Sequence, residues 1–161
     1  MKVAERKSGI TRMIDLKSIN LFSNEEFVIY KNIVTTVENI SQSELPIEQF
    51  ILKYKMWQTE TNSEMFGIFV NDELVGDMSL AKQNIEEHVA SVGYRVHPDQ
   101  QRKGYCSKAF LKIIDLAKYK GFGFLKSTIA KDNLPSIKVW QKHNAHFEDK
   151  DQKKYSVILK I

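Results

Sequence analysis

The chain's hydrophobic patterning predicts an α/β (α+β) fold, a mixed central sheet of about six to seven strands flanked by about four helices. Three observations carry that expectation. Apolar residues recur at helical spacing over 24–37 and 47–57; the period switches to two over 65–96; helix and strand patterns then alternate to the C-terminus. With 161 residues, 42% hydrophobic and 27% charged, the composition is that of an ordinary globular chain. Such a length buries about 70% of the extended surface on folding.

In order, residues 10–19 alternate around Met13 and Ile14 and read as an opening strand, with 1–9 a possible flexible extension and 10–161 a single domain. Ser23 or Asn24 can cap a helix, because Glu25 and Glu26 fall in its first turn and Phe27, Tyr30, Ile33, Val34 and Val37 follow on one face. Residues 41–46 are punctuation, and Ile47, Phe50, Ile51, Tyr54 and Trp57 mark a second amphipathic helix. Residues 65–70 and 74–80, separated by Asn71, Asp72 and Glu73, form a hairpin signature. A third strand runs over 88–96 with Ala90, Val92, Tyr94 and Val96 on one face. Beyond Gly104, Phe110, Ile113, Ile114 and Ala117 make a helical stripe that Gly121 ends. Residues 124–130 are a short strand, Asn133 with Pro135 starts another helix, and Tyr155, Val157, Leu159 and Ile161 alternate as a closing strand.

The bulk properties also exclude. A net charge of +4, from 24 basic and 20 acidic residues scattered along the chain, is too small to indicate nucleic acid. Cys106 is the single cysteine, so an internal disulfide and a cysteine-based metal cluster are both ruled out, and a cytoplasmic location with no metal is expected. No apolar run approaches the roughly 20 residues that span a bilayer, and no secretory signal is expected, so no membrane partner is either.

Residues 94–107 carry the chemistry. Strand, polar loop and helix succeed one another there, and a helix N-terminus offers converging N–H groups and about half a positive charge. Gly104 lets an anion approach the backbone closely, and Arg102 and Lys103 add positive potential. The run Gln101-Arg102-Lys103-Gly104-Tyr105-Cys106 resembles the Gln/Arg-x-x-Gly-x-Gly/Ala pyrophosphate loop of the GCN5-related N-acetyltransferase (GNAT) superfamily, and Val96-x-Pro98 before it also matches. Downstream, Asn133-Leu134-Pro135-Ser136, followed by a helix and Ala145-His146-Phe147, resembles the superfamily's second signature. Two motifs in the right order are stronger than either glycine loop or asparagine alone.

The resemblance implies a GNAT-like acyl-CoA N-acyltransferase fold and an acetyl-CoA-dependent N-acetyltransferase. Its cosubstrate would be acetyl-CoA and its acceptor a primary amine of a small molecule or peptide. It further implies that backbone groups of Tyr94, Arg95 and Val96 hold the pantetheine arm. Amides of Gln101, Arg102, Lys103, Gly104, Tyr105, Cys106 and Ser107 would hold the pyrophosphate, and Asn133 would meet the pantetheine or product end. Members of the superfamily splay their parallel strands at this point to admit the thioester.

Three departures matter. Cys106 stands where glycine or alanine is usual, and a thiol at a helix N-terminus is expected to ionise readily enough to form a mixed disulfide with CoA; the plain alternative is a silent packing residue. Trp140 occupies the position of the tyrosine that protonates the leaving thiolate in many members, and an indole cannot do so. Ser136 matches a hydroxyl used in the ribosomal-protein N-terminal acetyltransferase branch and becomes the candidate acid. Among Glu86, Glu87 and His88, Glu87 is the candidate base, against a solvated charge at a strand end. Ala145-His146-Phe147 replaces the usual Leu-Gly-Phe. Glu25, Glu26, Phe27, Tyr30, Trp57 and Glu60 are either acceptor lining or ordinary core and solvated surface. The missing tyrosine keeps open a second reading, a catalytically silent acyl-CoA-binding sensor or scaffold. Exposed sheet edges would allow a homodimer.

Overall fold

Ser23 and Glu26 start the first helix reciprocally. The Ser23 hydroxyl accepts from the Glu26 N–H at 3.1 Å, and the Glu26 carboxylate accepts from the Ser23 N–H at 3.1 Å. That capping box satisfies two otherwise orphaned donors and opens α1 (Asn24–Glu38). The computed structural model describes residues 3–7, 10–38 and 45–161, so the expected turn at 41–46 lies largely outside the described residues. In chain order β1 (Val3–Lys7) and β2 (Ile10–Ser18) precede α1, and α2 (Ile47–Glu60) follows it. Then come β3 (Glu64–Val70), β4 (Glu73–Asn84), β5 (Val89–Val96), α3 (Tyr105–Tyr119) and β6 (Phe124–Ala130). The chain closes with α4 (Leu134–Gln141), β7 (His146–Asp149) and β8 (Lys154–Lys160).

The strands form one mixed sheet in the order β1-β2-β3-β4-β5-β6-β8-β7. The expected mixed α/β architecture is present, and eight strands are described because two short edge strands join those that periodicity marks. β1 pairs antiparallel with β2, where a flexible extension was expected, and β7 pairs with β8. Their sequences, VAERK and HFED, are five and four residues long and rich in charge, so neither shows a readable alternation.

Helices cover both faces. On one side α3 and α4 bury Ala109, Phe110, Ile113, Ala117 and Trp140 against Ile68, Met78, Leu80, Val92 and Leu125. The Phe110 and Trp140 rings meet edge to face, 4.9 Å apart, and lock the two helices together. On the other side α1 and α2 bury Phe27, Tyr30, Phe50 and Tyr54 against Met65, Phe69 and Leu74. With cover on both faces, β4 is buried continuously from Leu74 to Ala81 instead of alternating.

The sheet has one parallel pair, β5 with β6, and it is short. Register runs Val89 to Phe124, Ala90 to Leu125 and Ser91 to Lys126. Past that point β5 stays paired with β4 as far as Val96, while β6 stays paired with β8 as far as Ala130. The two strands therefore part company within one continuous sheet, and their facing backbone edges open a wedge at the carboxyl end of β5. Gly76 holds β4 against β5 at this end; a Cβ there would lie 2.1 Å from the Arg95 carbonyl oxygen.

Candidate active site

The wedge leads straight into the loop that sequence singled out. After Val96 the chain makes a 3-10 turn over Pro98–Gln100, and the Gln101 side-chain amide donates to the Val96 carbonyl at 2.9 Å, folding the loop back on the strand it leaves. Arg102, at φ 62°, and Gly104, at φ 80°, both adopt left-handed backbone. Gly104 is the N-cap of α3; no side chain caps this helix and no acidic residue lies in its first turn. The leading N–H groups of α3 are thus left for an anion, with the macrodipole behind them and Arg102 and Lys103 exposed alongside. A Cβ placed on Gly104 would meet no atom within 4 Å, so the approach is open. Tyr105 anchors the helix start: its ring is buried, and its hydroxyl accepts from Arg12 Nη1 on β2 at 2.8 Å.

Side chains on β5 alternate across the sheet. Tyr94 turns toward α3 and α4, its ring 6.4 Å from Phe110 and its hydroxyl hydrogen-bonded to Ser136 Oγ. Burial pushes its phenol up to about 12, while Ser136 and the Trp140 indole oppose that rise. Arg95 turns the other way and pairs with the buried Asp77 carboxylate on β4 and with Glu38 at the end of α1. Burial disfavours the Arg95 cation, but Asp77 outweighs it and holds the guanidinium above its ordinary range. The Tyr30 hydroxyl donates to Asp77 at 2.6 Å, and burial followed by the Asp77 charge raises its phenol well above the usual value. Sequence reasoning missed this cluster. Its signal was present, since Asp77 sits inside an otherwise apolar strand pattern.

Asn133 caps α4, its side chain accepting from the Ser136 N–H at 3.3 Å. Ser136 is buried at the start of that helix and faces Tyr94. The structure thus brings Tyr94, Arg95, Val96, residues 101–107, Asn133 and Ser136 to one end of the sheet. Glu87 is not among them. It lies exposed in the turn before β5, with its N–H bonded to the Asn84 side chain, at the end of β5 opposite the wedge. At about 3.3 Å per residue the five steps of strand from Val89 to Tyr94 span roughly 16 Å, which keeps Glu87 out of reach of a direct proton transfer at Tyr94.

At Cys106 the structure favours the plain alternative, a silent packing residue, over the mixed disulfide. It sits in the first turn of α3 as expected, but burial pushes its thiol up to about 12, against an ordinary value of 9.0. Burial disfavours the thiolate that disulfide exchange requires, which keeps it scarce at neutral pH. Cys106 is expected to react with a small aromatic disulfide reagent at pH 8 at least about tenfold more slowly than free cysteine. A rate equal to the free thiol would reverse this reading. Because the folded value is raised, this group's contribution to stability is complete below about pH 9 and declines as pH rises toward 12.

Comparison with known proteins follows the same lines. The family described as Acetyltransferase (GNAT) domain matches residues 10–146. No curated protein matches the sequence. Among solved structures, the Campylobacter jejuni N-acetyltransferase PseH in complex with acetyl coenzyme A is similar at a TM-score of 0.71 and 18% identity, covering 91% of this chain and 98% of that one. Spermidine N-acetyltransferase from Vibrio cholerae, solved with CoA and spermine, gives a TM-score of 0.74 at 11% identity and covers 91% and 95%. RimL, a ribosomal L7/L12 α-N-protein acetyltransferase solved as a CoA–cysteine disulfide, gives 0.71 at 15% identity and covers 92% and 94%. At these identities the likeness is one of fold. The family match spans most of the chain and includes both loop and asparagine motifs, and on that ground the chain belongs to the GNAT acetyltransferase family.

Proposed function

We propose that this acetyltransferase holds acetyl-CoA along the wedge between β5 and β6 and passes the acetyl group to a primary amine entering from the α1–α2 face of the sheet. Acetyl-CoA-dependent N-acetyl transfer is the chemistry of the family. The observation that carries the placement is the parting of β5 from β6 beyond Ser91, which leaves backbone donors and acceptors of Tyr94, Arg95 and Val96 unpaired with β6 directly upstream of an uncapped helix N-terminus. A polar pantetheine arm needs such edges, and a pyrophosphate needs such amides. Amides from Gln101 to Ser107 hold the phosphates in this reading, and Asn133, while capping α4, faces the pantetheine end.

Transfer requires a neutral amine, a donor for the oxyanion and a proton for the thiolate. Backbone N–H groups of the opened β5 edge serve the oxyanion. On the α1–α2 face, the carboxylates of Asp77 and Glu38 meet the guanidinium of Arg95, so the described charges of this cluster sum to a net negative value. That balance favours an acceptor that arrives as a cation, such as a polyamine, over one bearing a carboxylate. In the V. cholerae relative the bound amine is spermine.

Incubation with acetyl-CoA and separate amines, namely polyamines, amino sugars and peptide N-termini, with thiol release and product mass as readouts, tests the assignment. Free CoA should appear in step with acetylated amine, fastest with the polycationic compounds. Tight acetyl-CoA binding with no amine-dependent thiol release would instead mark a silent acyl-CoA-binding module.

A further inference from the structure

We infer that the Tyr94 phenol, reaching across from β5, is the acid that protonates the departing CoA thiolate, with Ser136 holding its oxygen in place. The inference rests on the acetyl-transfer reading and names the residue for a step that Trp140 leaves without an obvious donor.

The geometry starts from β5. Tyr94 lies on the stretch that has left β6, so its backbone borders the wedge while its side chain crosses to the starts of α3 and α4. Its hydroxyl is hydrogen-bonded to Ser136 Oγ. Trp140 is fully buried, and its indole Nε1 has no hydrogen-bond partner among the described residues. Trp140 lies one helical turn beyond Ser136, on the face of α4 that meets Tyr94. A buried indole N–H left in this way is unusual, because such groups almost always find an acceptor. The three polar groups come from one strand, β5, and one helix, α4.

Chemistry selects Tyr94 from the three. An indole has no proton to give at any working pH, and an aliphatic hydroxyl leaves an alkoxide far more basic than a thiolate. Even pushed up to about 12 by burial, the Tyr94 phenol stays closer to a thiol near 8.5 than an aliphatic hydroxyl does. Burial keeps Tyr94 protonated across the working pH range, so it enters every turnover as an acid.

The step balances as follows. The amine nitrogen attacks the thioester carbon, forms the C–N bond and releases its proton to water. Collapse of the tetrahedral oxyanion breaks the C–S bond and sends that electron pair to sulfur. The Tyr94 O–H proton passes to the sulfur, giving free CoA thiol. The phenolate that remains receives a hydrogen bond from the Ser136 hydroxyl and regains its proton from solvent. Ser136, expected from sequence to be the acid, becomes a positioning residue.

The test is Tyr94→Phe in the full chain with the best amine found. The expected loss is about 100-fold in kcat, with acetyl-CoA affinity by calorimetry and the melting temperature close to wild type. A leaving-group comparison separates acid catalysis from packing. With the acetyl selenoester of selenium-substituted CoA, whose selenol is much more acidic, the Phe variant should come within about tenfold of wild type, because that leaving group departs without protonation. Ser136→Ala and Trp140→Phe should lose less than Tyr94→Phe. An equal deficit with thioester and selenoester, or an active wild type matched by the Phe variant, overturns the donor role alone. A wild type that binds acetyl-CoA but acetylates no amine overturns the transfer reading and the donor role with it.

Discussion

Asp77→Ala should destabilise the protein by about 3–5 kcal/mol, the largest stability loss expected of any single side chain outside the apolar core. Asp77 is buried on β4, with its side chain only 4% exposed. Its carboxylate accepts from Arg95 Nε at 3.1 Å, from Arg95 Nη2, and from the Tyr30 hydroxyl at 2.6 Å. Removing it leaves the Arg95 guanidinium, its side chain 18% exposed, with Glu38 as its one remaining carboxylate, and the Tyr30 hydroxyl with only the weakly accepting Met65 sulfur. An exposed ion pair of the same chemistry would cost about 0–1 kcal/mol, so burial decides the size of the effect. At about 2–4 °C per kcal/mol for a chain of this size, the melting temperature should fall by roughly 6–20 °C. The companion experiment replaces both partners, Asp77→Leu with Arg95→Met. Much of the loss should return, because no unpaired charge then remains buried. Equilibrium denaturation of the single and double variants reads both. A loss near 1 kcal/mol in the single variant would show that water reaches the pair.

Arg95 shows how much of the site was legible in the sequence. Its position on the strand leading into the cofactor loop follows from motif and periodicity, and the structure keeps it there. Its side chain was beyond reach, because its partners Asp77, Tyr30 and Glu38 come from another strand and a distant helix. Local signals were read well where the physics is local: the Ser23–Glu26 cap, the α3 stripe, Asn133 capping α4. Tertiary context adds what local signals lack at Cys106, where burial disfavours the thiolate, and at Glu87, which most of the length of β5 separates from Tyr94. The motif comparison registered Trp140 as a loss. Only the structure shows the Tyr94 hydroxyl meeting Ser136 on the same helix, because no spacing rule links residues 94 and 136.

Gly104→Val should weaken acetyl-CoA binding by at least about 100-fold while costing only about 1–2 kcal/mol of stability. The asymmetry comes from where the strain and the space lie. At φ 80° the backbone is left-handed, which a β-branched residue tolerates poorly, so part of the cost falls on folding. No protein atom lies within 4 Å of the added Cβ, so no packing clash adds to it. The new side chain instead projects into the open side of an N-terminus that no side chain caps, the face by which, in the proposed reading, a pyrophosphate would meet the amides of Tyr105, Cys106 and Ser107. Gly104→Ala, with a single methyl, should lose about tenfold. Arg102→Ala and Lys103→Ala, exposed charges screened by salt, should each lose only a few-fold. Calorimetric titration with acetyl-CoA at two salt concentrations separates these contributions. If the grip is made by backbone amides, the glycine variants must dominate and their deficit must persist at high salt. Lysine and arginine variants that lost more than Gly104→Val would move the site from the helix terminus to the side chains of the loop.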